Sequence, residues 1–299
     1  MVYTTVATQE KAHDGAIWSL AWSANDLVVS GGLDGKVKAW GWTGSKLEPR
    51  VAFDGHALSV VSVAINPAGT VAASSSMDGT IALWDLQTLA PASRGVIDAD
   101  AMQCWTVAFS SNGESIATGG EKGNISVFDV ATGNKHDGFE PRGKFSLSVA
   151  YSPNGRFVAC GAQDGIVHIF DVEQNKLMHK LEAHAMPVRA LAFSPDSALL
   201  LTGSDDALIK LHDVEHGNNL YTFSGHASWI TSLAFSPNGV HFSSSSIDKK
   251  VKVWDISTHE TLHTFDTHDD QVWAIAYNRT GDRMASAANN GKIHVYECS

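Results

Sequence analysis

With 43% hydrophobic residues, a chain of 299 has enough apolar side chain to bury a large core, which excludes a disordered polymer and fits one large all-β domain or two smaller ones. Lys plus Arg number 21 against 32 Asp plus Glu, a net charge of -11, so the surface as a whole repels phosphate backbones and direct nucleic-acid binding is not expected. Three scattered cysteines (Cys104, Cys160 and Cys298) fit neither a disulfide framework nor a zinc site, and no apolar run approaches a membrane span, which together predict a soluble, unsecreted protein in a reducing compartment.

Taken in chain order, the first element is the polar run VYTTVATQ, which leads into the apolar AHDGAIWSLAW. Segments of that second kind recur as GHALSVVSVAI, DAMQCWTVAF, RGKFSLSVAY, AHAMPVRALAF, GHASWITSLAF and THDDQVWAIAY. Each is followed by a small-residue run such as LVVSGGLDG or VAASSSMDG, then by a third run such as VKAWGW, IALWDL or VKVWDI. These runs alternate β-branched and aromatic residues, and junctions such as SPNG, SPDS and NPAG supply Pro and Gly where turns need them, so they predict strands; no segment carries a sustained helical period. The third runs place Trp40, Trp84, Phe128, Phe170, His212, Trp254 and Tyr296 at intervals of 44, 44, 42, 42, 42 and 42. A period of that length predicts one four-stranded propeller blade per repeat, seven in all.

The fourth strand of each blade is predicted in the more polar runs LMHKLEAH, LYTFSGH and LHTFDTH, which suit an outer edge. Only three residues follow Tyr296, so the last blade lacks its outer strand, and the residues near 2 to 8 are predicted to supply it. Closing the ring in this way removes the open sheet edges that promote aggregation. One domain over residues 1–299, with no linker, is the expected organisation.

This architecture, with GH, then DG, then WD, resembles the WD-repeat propeller family along the whole chain. The resemblance implies a hydrogen-bonded tetrad in each well-formed blade. The matching residues are His13, Ser30, Asp34 and Trp40; His56, Ser74, Asp78 and Trp84; and His226, Ser244, Asp248 and Trp254. A buried imidazole needs partners at both ring nitrogens, and a turn carboxylate with a hydroxyl supplies them, so these histidines are scaffold. A Ser-His-Asp hydrolase would use the same residue types, but one trio recurring in several blades is an array, and catalysis does not use arrays. Other blades depart from the pattern: Asp100, Thr118, Lys122 and Phe128 in the third; Arg142, Cys160, Asp164 and Phe170 in the fourth; His212 for Trp in the fifth, which keeps His184, Thr202 and Asp206; Asn290 for Asp in the seventh.

Neither a metal nor a cofactor is expected. His259, His263 and His268 tempt a zinc reading, but a four-residue step along a strand separates side chains by roughly 13 Å. The DG turns are tight strand connections and not a phosphate loop of the Walker type.

With the histidines assigned to the scaffold, the residues left for function are large side chains at the start of each first strand, where family members expose the top face of the disc. Trp18, Trp105 and Trp273 share one slot, with Arg189 in the fifth repeat; Phe145 and Trp229 lie two residues earlier in register. The same slot holds Val61, Leu147 and Thr231 in the other repeats, so packing alone does not demand Trp there. Aromatics and Arg on one face have the composition of a protein-binding hot spot.

The words RGKFSLSVAYSPNG, AHAMPVRALAFSPDS, GHASWITSLAFSPNG and DQVWAIAYN are similar to the WD-repeat subunits of the superkiller (Ski) complex, shared with the RNA polymerase II-associated factor (Paf) complex. That similarity implies a non-enzymatic adaptor in nucleus and cytoplasm with no small-molecule substrate. Its implied partners are the tetratricopeptide-repeat subunit and DExH helicase of the Ski complex and the subunits of the Paf complex. It further implies that the top face grips a short Gln-Arg-x-x-hydrophobic segment. An arginine in such a segment would want an acid, and Asp14, Asp269 and Asp270 are near the rim. A substrate receptor of a cullin ubiquitin ligase is the alternative adaptor, weakened by Gln87 and Ser257 where such receptors carry Arg after the WD pair.

Overall fold

The computed structural model describes residues 2–99, 104–141 and 143–298, without the side chains of Ser93, Arg94, Lys122 and Asp137. Asp100, Arg142 and the Lys122 side chain, three of the departures noted above, lie outside the described residues. The described chain folds into seven four-stranded antiparallel sheets arranged as the blades of a closed propeller. The first blade runs from the innermost strand Ile17–Trp22 through Leu27–Gly32 and Val37–Trp42 to the outer strand Leu47–Phe53. The next five follow the same plan from innermost strands Val60–Ile65, Thr106–Phe109, Ser146–Tyr151, Val188–Phe193 and Ile230–Phe235.

The seventh blade combines the two ends of the sequence. Val272–Tyr277, Arg283–Ala288 and Ile293–Cys298 form its inner three strands, and Tyr3–Gln9 pairs antiparallel to the last of them, from Tyr3 opposite Cys298 to Gln9 opposite Ile293. The predicted closure is therefore present. It places the innermost strands Ile17–Trp22 and Val272–Tyr277 side by side, completing the ring.

Each core cluster bridges two blades. Leu20, Val28 and Trp40 of the first blade pack with Ala274, Ala285 and Val295 of the seventh, and Val29, Ala39 and Phe53 pack with Val60, Val63 and Trp84 of the second. Such cores require blades to approach closely, and the second strand of each blade carries a small residue at the contact: Gly31, Ser75, Gly119, Gly161, Gly203, Ser245 and Ala287. A Cβ on Gly31 would lie 2.5 Å from Val60 Cγ1, one on Gly161 2.6 Å from Val188 Cγ1, and one on Gly203 2.6 Å from Ile230 Cγ2. Serine hydroxyls add polar links between innermost strands: Ser19 accepts from Val63 N (2.9 Å) and Ser148 donates to Val188 O (3.2 Å).

The third and fourth blades replace the tetrad by aromatic packing. Phe128 joins the core formed by Ile81, Val107 and Phe109, and Phe170 lies 4.9 Å from Phe139 between ring centroids. Cys160 is fully buried beside it, and burial pushes its thiol up to about 12, so it behaves as a small apolar side chain.

Two outcomes test this account. Deleting residues 2–9 uncovers the edge of Ile293–Cys298 and should lower the melting temperature by on the order of 10 °C, at about 2–4 °C per kcal/mol for a chain of this size; an unchanged melt would refute the closure. Gly203→Val overfills the contact between the fifth and sixth blades and should cost roughly 1–3 kcal/mol in denaturant unfolding, with retention of full stability counting against the small-residue requirement.

Candidate functional site

The histidine networks tie the top-face loops to the turns beside them. In the first blade the Trp40 indole N–H donates to Ser30 Oγ (2.9 Å), Ser30 is 2.8 Å from His13 Nε2, and His13 Nδ1 is 2.8 Å from Asp34 Oδ1. A carboxylate only accepts, so Nδ1 carries the ring proton and Nε2 accepts from the serine, giving one continuous relay. Trp84, Ser74, His56 and Asp78 repeat it at 2.8, 2.7 and 3.3 Å, and Trp254, Ser244, His226 and Asp248 at 2.8 Å throughout. Burial drives the His13 and His56 rings below their ordinary range, against the pull of the carboxylates. Burial also raises the Asp248 carboxyl, but the His226 hydrogen bond and field prevail and hold it at about 2. These imidazoles are closed off by their relays and have no free nitrogen to offer a substrate.

The two departures that retain histidine use substitutes. His212 Nε2 stands 3.2 Å from Thr202 Oγ1, supplying the donor that indole supplies elsewhere, while Thr202 bonds His184 at 2.8 Å and His184 bonds Asp206 at 2.9 Å. In the seventh blade Tyr296 Oη is 2.8 Å from Ser286 Oγ, which is 2.6 Å from His268 Nε2. His259 and His263 are occupied elsewhere: the first stacks on Tyr221 at 3.8 Å and the second on Tyr3 at 5.3 Å.

The top face is set by a backbone irregularity. In six blades the innermost strand slips register by one residue against its partner, between Ile17 and Ser19, Val60 and Ser62, Ser146 and Ser148, Val188 and Ala190, Ile230 and Ser232, and Val272 and Ala274. The skipped residues are Trp18, Val61, Leu147, Arg189, Thr231 and Trp273. A bulge re-aims its extra side chain, and all six line one central cavity of about 540 Å³, together with Trp105, which directly precedes the third blade's innermost strand. Every blade thus contributes the same slot to one wall. The four members singled out from sequence, Trp18, Trp105, Arg189 and Trp273, meet here, and Val61, Leu147 and Thr231 belong to the wall as well.

Phe145 and Trp229 sit beside this wall. Phe145 meets Trp105 edge to face at 5.9 Å, and the Arg189 guanidinium lies 4.7 Å over the Trp229 ring. All four tryptophans and Phe145 are half-buried. Arg189 is held by a residue that sequence reasoning missed: Asp205, whose side chain is 3% exposed, accepts from Nε at 2.6 Å and from Nη2 at 2.9 Å. The motif SDDA contains two adjacent acids, and only the tetrad role of Asp206 was visible in it.

Of the three rim acids, Asp14 is exposed, and its backbone N–H donates to Asp34 Oδ2 at 3.2 Å. Asp269 is engaged by Lys292 (3.4 Å) and Asn290, and Asp270 by Asn289 (3.1 Å). Asp269 and Asp270 are therefore not free carboxylates awaiting a cation. A second cavity, about 710 Å³, opens at the other end of the channel, but only the first, second, sixth and seventh blades form it, with Trp22, Phe235, Tyr277 and Arg279 in its lining.

Fold and repeated networks together define a WD-type β-propeller. The family model described as WD domain, G-beta repeat matches residues 4–41, 47–85, 95–129, 175–213, 217–255 and 259–297, and the chain belongs to that family. Each match opens on or just before the outer strand of one blade and ends on the third strand of the next. Residues 138–188, across the departing fourth blade, match the model of the Anaphase-promoting complex subunit 4 WD40 domain. The chain is also similar to the WD repeat-containing protein SL1-17 of Schistosoma mansoni, 41% identical over 78 residues, and the match covers 24% of this chain and 26% of that protein. The family is typically non-enzymatic, and a propeller of this kind suggests a protein-interaction scaffold.

His226→Ala should cost about 1–3 kcal/mol, because it leaves Asp248 and Ser244 without their partner, and should lower the melting temperature without abolishing partner binding at permissive temperature. A variant that melts like the parent yet binds nothing would assign the histidine to the binding site instead.

Proposed function

We propose that this protein is a non-enzymatic adaptor subunit, of the kind found in the Ski and Paf complexes, that receives a short segment of a larger subunit in the top-face cavity. The observation that carries this reading is the convergence of the seven bulged or equivalent side chains on one wall, three of them tryptophan and one an arginine already fixed by Asp205. Aromatic side chains lose little entropy on binding and bury large areas, and a guanidinium locked over an indole by Asp205 is pre-organised to donate its remaining N–H groups to a docking chain. The residues that would carry the contact are Trp18, Trp105, Arg189, Trp229 and Trp273, with Phe145 supporting Trp105 and Asp14 an exposed acid of the rim.

Truncating an anchor of this kind costs about 2 kcal/mol or more of binding. Trp105→Ala and Trp229→Ala should therefore weaken co-purification of the tetratricopeptide-repeat subunit by roughly thirtyfold in affinity and leave circular dichroism and melting temperature nearly unchanged. Early melting of both variants would make the tryptophans core; full binding by both would move the partner to another surface. Affinity purification with mass spectrometry then separates the assemblies: a DExH helicase with the tetratricopeptide protein supports RNA decay, and Paf subunits support transcription.

A further inference from the structure

The seventh blade is closed by a strand that no turn ties to it, and a pair of buried histidines sits at that seam. His268 and His294 are 5% and 6% exposed, with ring centroids 4.2 Å apart and planes at 89°. His294 Nδ1 is hydrogen-bonded to Thr8 Oγ1 of Tyr3–Gln9 at 2.9 Å, and Thr8 is its direct register partner. In the first, second, fifth and sixth blades the relay histidine meets a carboxylate through Nδ1. In the seventh that slot is Asn290, whose amide turns to Asp269, and among the described residues His268 Nδ1 and His294 Nε2 have no partner.

The charges around the pair do not replace the missing carboxylate. Lys292, just before the last strand, is bound to Glu10, just beyond the closing strand, and to Asp269 of the preceding loop, both at 3.4 Å. Asp270 is taken up by Asn289, and Tyr296 by Ser286. A proton on either ring would face the other imidazole and Lys292 in a site closed to water.

We propose that the His268–His294 pair makes the closing strand an acid-releasable latch, so that the ring parts between Tyr3–Gln9 and Ile293–Cys298 before any other blade loses strands. Burial, followed by the neighbouring imidazole, pushes His268 down to about 3, and burial followed by Lys292 lowers His294 as well. The sign follows from linkage. Above the ordinary histidine value of 6.5 both rings are neutral in either state and the latch is at full strength. As pH falls below 6.5 the detached state takes up protons that the closed state excludes, and opening is favoured progressively towards about 3.

The rest of the ring feels the same change less or cannot part in the same way. His13, His56 and His184 are lowered by burial too, but a carboxylate at 2.8, 3.3 or 2.9 Å opposes the shift in each. His168, lowered by burial and then by Lys180, lies on Ile166–Asp171, a strand paired on both sides within its blade. His212, held at about 4 by burial and by His184, lies on Ile209–Asp213, a strand joined by turns on both sides that cannot leave without unfolding its blade. Release of the latch bares the backbone edge of Ile293–Cys298, which can then pair with a strand from another chain.

Hydrogen exchange of the full chain at pH 7.5 and pH 5, corrected for intrinsic rates, reads this directly. Segments 3–9 and 293–298 should lose protection by about tenfold or more at pH 5 while the innermost strands of the second and sixth blades keep theirs. Asn290→Asp, which restores the carboxylate, should return protection of the closing strand at pH 5 to near its pH 7.5 value. Equal protection at both pH values, loss shared by every blade, or an Asn290→Asp variant as acid-labile as the parent would overturn the proposal. Should that variant not fold, His294→Gln removes one titrating ring while keeping a hydrogen-bonding group for Thr8, and the same comparison and outcomes apply.

Discussion

Neighbouring blades meet where a bulge on one strand faces a small residue on the next, and the rest of the molecule depends on that unit. Gly31 faces Ser19 across the bulge at Trp18, and Gly203 faces Ala190 across the bulge at Arg189. The small residue admits the next blade's Val60 or Ile230 to distances that a Cβ would forbid. The extra residue opposite is thereby turned away from the sheet and into the channel. One irregularity therefore does two jobs in six of the blades: it accompanies the close packing of neighbouring sheets, and it presents six of the seven side chains at the mouth. Interior packing densities leave no room for a compromise between them, since a larger residue at the contact would separate the blades and widen the mouth together.

The hydrogen-bond relays are a separate layer that can vary while this packing stays. Trp, His and Tyr each donate to the central hydroxyl, at 2.9 Å in the first blade, 3.2 Å in the fifth and 2.8 Å in the seventh. What changes is the far end. Where Asp is present, the imidazole has both nitrogens satisfied; where Asn replaces it, one nitrogen is orphaned, with the desolvation cost of about 1–3 kcal/mol that such a group carries. In the third and fourth blades apolar clusters around Phe128 and Phe170 take the relay's place.

Periodic features were legible in the sequence, and local reversals were not. The spacing of Trp40, Trp84, Trp254 and their equivalents gives the blade count, and the shortage of residues after Tyr296 gives the closure, because both follow from counting strands. The shared slot of Trp18, Trp105, Arg189 and Trp273 was legible as an alignment of repeats. Its meaning depended on a bulge, which has no residue signature when the bulged position accepts Trp, Val, Leu, Arg and Thr alike. Asp205 was hidden because its neighbour Asp206 already explained an acid in that turn, and His294 because alternation made it one more strand residue beside Tyr296. In each case the deciding partner comes from another strand or another end of the chain, which a linear pattern does not contain.

The slot's composition gives the cavity a direction. Going round the ring, tryptophans occupy the seventh, first and third blades, and Arg189 stands on the fifth, across the channel from the first and two blades from each of the others. An apolar side chain gains most on the tryptophan side, where it displaces poorly bound water, while a carbonyl or carboxylate gains most at the guanidinium edge left open by Asp205. For the segment proposed to dock here, this would favour one orientation over its reverse, with Arg189 already clamped by two hydrogen bonds and stacked on Trp229. Had the seven slots been identical, the ring would offer seven equivalent poses; unequal residues on equivalent positions give the symmetric scaffold an asymmetric wall.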